Sequence, residues 1–409
     1  MSTEPHNRVV NFGAGPAPLP LSVLEEAQGA LLNFNNSGIG IAEISHRSPE
    51  FLAFRARTDA RIRTQLAVPR THHILFTQSG ASAQFAAAVT NLLARHRLLH
   101  PDAAPADTPL DYVVTGTWSA RAAAEARRLT APGAHARVHI AADARTHSPA
   151  GAFDGLPPRT AYAFSAAPAL VYYCENETVE GVQFSSAPAS PGAFPFDALP
   201  PGAALVGDYS SSFMSRAIPR LGEHALVYAC AQKNVGPAGV TVLLVREDCL
   251  VDVEAAARAG ALPVATLDAP KTHADARSLY NTPSVFALYV TGLVLAHMER
   301  MGGVPYYEAL SRRKALKVYA AVREGQERGV CRRAGREGSE SWMNVVFTAP
   351  GEGAEQRFLD GAKARGMAGI KGHRFVGGIR VSLYNAVTEE HVDKLVEYMK
   401  WFIAEETKN

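Results

Sequence analysis

Between residues 73 and 247 short apolar runs alternate with helical patterns, and this alternation constrains the fold more than any other feature of the chain. "HILFT" leads into "AQFAAAVTNLLARH" and "DYVVTGTW" into "ARAAAEARRL"; "YAFSA", "AALVGDYSS", "ALVYACAQ" and "VTVLLVRE" follow. Strands alternating with helices build βαβ units, and strands apolar on both faces predict a mostly parallel sheet covered by helices on each side. The expected class is therefore α/β.

The flanking segments add a second unit. A Gly/Pro-rich loop, "VVNFGAGPAPLP", runs into a predicted helix in which Ser22 and Glu25 have capping-box spacing and Leu24, Ala27, Leu31 and Phe34 form one apolar stripe. That helix is expected to stop before Asn35, Asn36 and Gly38. After "YNTPS" a long helical region extends to about Arg328, followed by the strand "WMNVVFTA", the helix "AEQRFLDGAKARG", the strand "GGIRVSLYN" and a last helix. In that last helix Val392, Leu395, Val396, Met399 and Phe402 share a face behind a Thr388 cap. These elements predict a smaller C-terminal α/β domain. Ala/Pro-rich stretches near 101–110, 186–202 and 255–266 read as surface loops.

Composition excludes several classes of function. With 409 residues, 47% of them hydrophobic, the chain has room for two or three domains. A formal charge of +2 gives no broad field to draw nucleic acid or an anionic membrane, so any anion recognition is local. The longest apolar stretch, residues 286–297, is too short to span a bilayer. The first residues, Met-Ser-Thr-Glu-Pro-His-Asn, lack the basic and apolar regions of a secretory signal, and a cytoplasmic location is expected. Cys174, Cys230, Cys249 and Cys331 stand far apart with no CxxC spacing, so neither a metal site nor a disulfide framework is expected.

In open α/β sheets ligands gather where the strands end, which directs attention to four positions. After "ILFT", the small residues Ser79, Gly80, Ala81 and Ser82 lead into a helix whose N-terminus suits a phosphate, although an ordinary turn has the same look. The spacing is not that of a Walker loop, and no G-x-G-x-x-G follows a strand. Trp118 follows "DYVVTGT" and serves either core packing or stacking on a planar ring. Asp208 follows "AALVG" as a cap, or as the buried acceptor that keeps a heterocyclic nitrogen protonated. Lys233, in "YACAQKNVGPAG", is a solvated turn residue or a tethered amine. Together these are the parts that hold pyridoxal phosphate: phosphate cup, stacking aromatic, carboxylate and amine.

The segments "NFGAGPAPLP", "EISHRSPEF", "SGASAQF", "NETVEGVQF", "ACAQKNVGPAG", "NTPS" and "KGHRFVGGIRVSLYNA" occur in the order seen in phosphoserine aminotransferases. The chain resembles that family from Asn11 to its last helix. The resemblance implies a fold type I, class V pyridoxal-phosphate enzyme with a seven-stranded, mostly parallel large domain at residues 19–283. The small domain would comprise residues 1–18 and 284–409. It implies a homodimer with active sites at the subunit interface, Lys233 as the Schiff-base lysine and Asp208 as the partner of the pyridinium nitrogen. Trp118 matches the stacking aromatic and Thr178 the residue near the 3′-oxygen. Ala81, Ser82 and Gln232 match the phosphate cup, with Asn281 and Thr282 reaching in from the other subunit.

The implied reaction is 3-phosphohydroxypyruvate plus glutamate giving phosphoserine plus 2-oxoglutarate in serine biosynthesis, with the phosphorylated oxo acid of pyridoxine biosynthesis as a further candidate substrate. Arg380 resembles the clamp for the α-carboxylate; His46, Arg47, His373 and Arg374 resemble the group that binds the phosphate or γ-carboxylate. The sequence departs from the family at three places: Ser82 stands where some members have arginine, Ala14 where some have serine, and Glu175 where proline is frequent. Two alternatives share the fold, an alanine–glyoxylate aminotransferase and a cysteine desulfurase. The second would need Cys331 as nucleophile, but its surroundings do not resemble that motif. A non-catalytic binding protein on this fold is the alternative of another class, and retention of Lys233 and Asp208 weighs against it.

Overall fold

The computed structural model describes residues 5–133, 135–374 and 376–408; residues 1–4, part of the stretch read for a leader, and Phe375 of the "KGHRFVGG" segment lie outside them. Its centre is a seven-stranded sheet of β1 (His72–Thr77), β2 (Pro109–Val114), β3 (Arg137–Asp143), β4 (Leu170–Cys174), β5 (Leu205–Asp208), β6 (His224–Cys230) and β7 (Thr241–Arg246). The strands lie in the order β1-β7-β6-β5-β4-β2-β3, and only β7 runs against its neighbours. Both faces are buried, which is why the strands read as continuous apolar runs. In β6, Val227 and Ala229 join one core cluster while Leu226 and Tyr228 join the other.

Helices α1 (Leu21–Leu32), α2 (Pro49–Gln65) and α5 (Val285–Arg300) pack on one face, and α3 (Ala81–Leu99) and α4 (Thr117–Thr130) on the other. A third cluster belongs to a four-stranded sheet. In that sheet Arg332–Arg333, β8 (Asn344–Thr348), β9 (Gly377–Ser382) and Lys371–His373 lie side by side. It is covered by the later turns of α6 (Gly303–Glu327), by α7 (Ala354–Ala364) and by α8 (Glu389–Glu406). Val10 and Phe12 pack into this cluster, so the N-terminal segment joins the C-terminal unit.

Three sequence expectations need correction. "YAFSA" is not a strand: Tyr162 and Phe164 pack against Phe194, and Ala163 N–H reaches the sheet through Ala141 O at 2.8 Å. The strands in this region are β4 and β3, and β3 escaped notice because, as an edge strand, it carries Arg137 and His139 among its apolar residues. The Ser22–Glu25 box does not form, because α1 starts after Pro20 without a side-chain cap; its buried face is Val23, Ala27 and Ala30, and Leu31 is exposed. The helical region after residue 284 is two helices, broken at Gly302 and Gly303, whose φ values of 108° and 66° suit glycine. Helix α5, together with Tyr307 and Leu310 of α6, belongs to the large-sheet cluster, and the small-domain cluster begins at Ala315. Thr388 caps α8 as expected, its Oγ1 accepting from His391 N–H at 3.3 Å.

Candidate active site

Parallel order brings the ends of β4, β5 and β6 side by side, with Cys174, Asp208 and Tyr228 in register. Lys233 stands just beyond β6 and donates from Nζ to the carbonyl of Ala14 at 2.6 Å. The ammonium lies 5.8 Å from the ring centroid of Tyr384, whose hydroxyl donates to the same carbonyl at 3.1 Å. At Gly15, with φ 129°, a Cβ would come within 3.1 Å of Lys233 Cδ, so a side chain there would crowd the amine. Asp208 is buried and accepts from Ser210 N–H at 2.9 Å and from the Tyr228 hydroxyl at 3.0 Å. Burial raises its carboxyl above the ordinary range; the Ser210 and Tyr228 hydrogen bonds and the charge of Lys233 pull the other way.

These two groups share a cavity of about 590 Å³ with Ala81, Ser82, Trp118, Thr178 and Gln232. Seven of the sequence-predicted residues thus converge. Helix α3 begins at Gly80 with no side-chain cap, leaving its N-terminal end to whatever occupies the cavity. Trp118 lies in the first turn of α4 rather than at a strand end, with the Arg121 guanidinium 5.1 Å from its ring centroid. The donor set fits pyridoxal phosphate: an amine for covalent attachment, a buried carboxyl for a ring nitrogen, an indole for stacking and an uncapped helix start for the phosphate.

The other predicted residues do not line this cavity. Asn281 donates to Gln78 Oε1 at 2.7 Å, and Gln78 Nε2 donates to the carbonyl of Thr282 at 2.9 Å. His46 is half-buried with Nε2 lacking a hydrogen-bond partner among the described residues, and Arg47 is exposed. His373 and Arg374 line a separate groove of about 470 Å³ with Lys371. Arg380 is half-buried and donates from Nη1 to Thr178 O at 3.3 Å, which ties it to the first cavity. Burial lowers the His373 imidazole, and the charges of Arg380, Arg121 and Arg374 lower it further. A second cavity, about 570 Å³, lies between Arg8, Tyr307 and the start of α8, and none of the predicted residues lines it.

Several residues escaped sequence reading. Tyr228, Tyr384 and Arg121 look like core or surface residues until the sheet brings them beside Asp208, Lys233 and Trp118. Glu177 and Glu180 escaped notice as well, in a stretch, 175–183, that the structure buries throughout. The departure at Glu175 has a structural cause: it forms a buried ion pair with Arg216 and accepts from Ser212. At Ala14 the chain uses only the backbone carbonyl. Cys331 is buried in the small-domain core, which suits a packing residue and not a nucleophile on a loop.

The sequence matches the aminotransferase class-V family over residues 9–395. It is 39% identical over 395 residues to the phosphoserine aminotransferase of Ectopseudomonas mendocina, covering 97% of this chain and 98% of that protein. The solved phosphoserine aminotransferase from Bacillus circulans subsp. alkalophilus superposes with a TM-score of 0.84 at 35% identity, covering 98% and 99% of the two chains. The pyridoxal-phosphate-bound phosphoserine aminotransferase from Trichomonas vaginalis superposes with a TM-score of 0.82 at 33% identity, covering 96% and 100%. Sheet order, cavity and sequence agree: the chain belongs to the phosphoserine aminotransferases, within the class-V aminotransferase family.

Proposed function

We propose that this chain transfers the amino group of L-glutamate to 3-phosphohydroxypyruvate, giving O-phospho-L-serine and 2-oxoglutarate in serine biosynthesis. The observation that carries the reading is the meeting of Lys233 and buried Asp208 in one cavity at the ends of adjacent strands. Bound pyridoxal phosphate supplies an aldehyde for amine exchange and a ring that takes up the electron pair left when Cα loses its proton.

The chain's own residues do the rest. Lys233 would hold the cofactor through its amine and, with that amine free, would carry the proton at the substrate's Cα. Asp208 holds the ring-nitrogen proton, with Tyr228 and Ser210 keeping its carboxyl in place. Trp118 covers the ring, and the start of α3 with Gln232 receives the phosphate. Arg380 clamps the α-carboxylate common to both substrates through a bidentate pair. His46, Arg47, His373 and Arg374 read the distal anion, phosphate in one substrate and carboxylate in the other.

We infer further that the enzyme works as a homodimer in the cytoplasm. Asn281, Thr282, His46 and Arg47 stand away from the chain's own cavity, and Leu31, Leu32, Leu52, Tyr280 and Phe286 expose apolar surface on the neighbouring elements. A partner docked there would lend its residues to this cavity and receive the same in return. No helix among the described residues is long and apolar enough to cross a membrane.

The test is a coupled assay of the purified protein with glutamate and a panel of oxo acids. Preference for 3-phosphohydroxypyruvate over glyoxylate and pyruvate is expected, with the oxo acid derived from 4-phosphoerythronate as a second substrate. Higher kcat/KM with glyoxylate would overturn the assignment.

A further inference from the structure

Residues 176–183 form a hairpin buried along its whole length, and it carries two carboxylates to which the proposed chemistry gives no task. Its strands, Asn176–Glu177 and Val182–Gln183, pair antiparallel and turn at Gly181, where φ is 72°. Glu177 accepts from Trp118 N–H and Ser119 N–H, each at 2.9 Å, and from Ser119 Oγ at 2.6 Å. Glu180 accepts from Thr117 N–H at 3.1 Å and from the Thr117 hydroxyl. Both acids therefore close the N-terminus of α4, where the helix dipole favours negative charge, and fix the turn that presents Trp118. Gly116 makes the approach possible: a Cβ there would lie 2.5 Å from Glu177 Cγ and Cδ.

The same hairpin reaches the substrate side. Between the two acids, Thr178 lines the cofactor cavity while its carbonyl accepts from Arg380 at 3.3 Å. At its root, Asn176 Nδ2 donates to Asn344 Oδ1 on β8 at 2.9 Å, and Asn176 Oδ1 accepts from the Ser341 hydroxyl at 2.5 Å. Gln183 Oε1 accepts from Trp342 N–H at 2.9 Å. Strand β8 pairs with β9, which carries Arg380. One short segment is thus bonded to the helix start that holds the indole and to the sheet that holds the guanidinium. Burial raises both acids, and Glu180 pushes Glu177 up further, to about 8.

We propose that residues 176–183, anchored by Glu177 and Glu180, set Trp118 and Arg380 relative to one another, making both acids positioning residues for substrate binding although neither touches substrate. The proposal rests on the roles assigned above to Trp118 and Arg380. A mere helix cap would bear on Trp118 alone; the hairpin bears on both because Thr178 lies between its two anchors.

The experiment is a double-mutant cycle of Glu177→Gln with Arg380→Lys, read as kcat/KM for glutamate, beside Trp118 emission of the cofactor-free protein. Glu177→Gln should shift the emission, and the shift should vanish in a Trp118→Phe background. It should also lower kcat/KM about tenfold in the native background but less than about twofold beside Arg380→Lys, the non-additivity expected of residues in one network. Equal losses in both backgrounds would overturn the proposal. Should Glu177→Gln fail to fold, Glu180→Gln, whose side chain accepts from Thr117, runs the same cycle. Borohydride trapping separates the two readings. Trapping that survives Lys233→Ala defeats the active-site assignment; trapping lost there, with additive losses in the cycle, defeats the hairpin alone.

Discussion

The cofactor end and the distal-anion end of the proposed site are built in different ways. At the cofactor end Ala81, Trp118, Asp208 and Lys233, scattered through the sequence, come together within one chain because strand order puts their loops on one edge of the sheet. At the anion end His46 and Arg47 lie between α1 and α2, while His373 and Arg374 lie at the rim of the small sheet, facing another groove. One half is fixed by backbone topology and a buried carboxyl; the other is two histidine–arginine pairs, half-buried at the histidines and exposed at the arginines, which the proposed dimer would gather. We therefore expect the covalent anchor and the ring-nitrogen acceptor to depend on the single chain's fold, and substrate selection to depend on the proposed dimer.

The largest effect tests the cofactor end. Lys233→Ala should abolish borohydride-trapped cofactor altogether, with Asp208→Asn keeping the attachment but lowering kcat at least about a hundredfold, within the range of proton-handling groups. Absorbance and single-turnover rates check both. A trapped, active Lys233→Ala protein would remove the comparison's first half.

The anion end should lose less and in a partner-dependent way. Arg47→Ala and Arg374→Ala are each expected to weaken phosphohydroxypyruvate about tenfold to a hundredfold, the worth of a charge-assisted pair, while sparing the half-reaction with a simple monocarboxylic amino acid. Complementation sharpens the point. If Arg47 serves the partner's cavity, mixing Lys233→Ala with Arg47→Ala subunits should restore about a quarter of native activity, because half the dimers are hybrids with one intact site in two. No recovery after confirmed subunit exchange would place Arg47 in its own chain's site.

A third effect concerns the link between the ends. Lys314, fully buried on α6, donates to the carbonyls of Leu383, Tyr384 and Val387 at 2.9, 3.0 and 2.7 Å. That segment carries Tyr384, bonded to Ala14, and Asn385, whose N–H donates to Asn234 beside Lys233. Burial lowers the ammonium to about 7, while the charge of Glu389 favours its charged form. Lys314→Met leaves the three carbonyls without a donor and should cost about 3 kcal/mol, read from urea denaturation. A loss below about 1 kcal/mol would mean that water replaces the ammonium.

The α/β class, five of the seven strands and the grouping of Lys233, Asp208 and Trp118 were legible because apolar runs, period-3.6 patterns and the residues that follow strands are local signals. Strand β3 was not, because an edge strand tolerates Arg137 and His139. The break at Gly302 was hidden by apolar residues on both sides of it. Glu177 and Tyr384 were illegible as site residues because their roles depend on bonds between residues distant in the chain, Glu177 to Ser119 and Tyr384 to Ala14. Likewise, the residues expected at the anion end were named from resemblance, since a histidine–arginine pair carries no local mark of what it meets.

The smallest effect distinguishes the rigid end by its response to acid. His224, buried on β6, has Nε2 2.7 Å from the Tyr173 hydroxyl and Nδ1 3.2 Å from the Arg220 carbonyl, an arrangement that suits a neutral ring accepting from tyrosine and donating to the carbonyl. Burial lowers it to about 3, against an ordinary value of 6.5. Between those values the unfolded chain binds a proton that the folded chain does not, so stability rises with pH and is lost as pH falls through this window. The slope approaches about 1.4 kcal/mol per pH unit, giving a loss of about 2 kcal/mol by pH 5. Burial lowers His72 as well, which acts in the same sense. His224→Gln, which cannot titrate, should be less stable at pH 7.5 yet lose less between pH 7.5 and 5, as measured by urea midpoints. His373 is lowered too but is less buried, and His373→Gln should flatten that slope in the same sense and by less than His224→Gln. Parallel curves for the native and His224→Gln proteins would mean that the sheet beneath Lys233 is not what acid weakens.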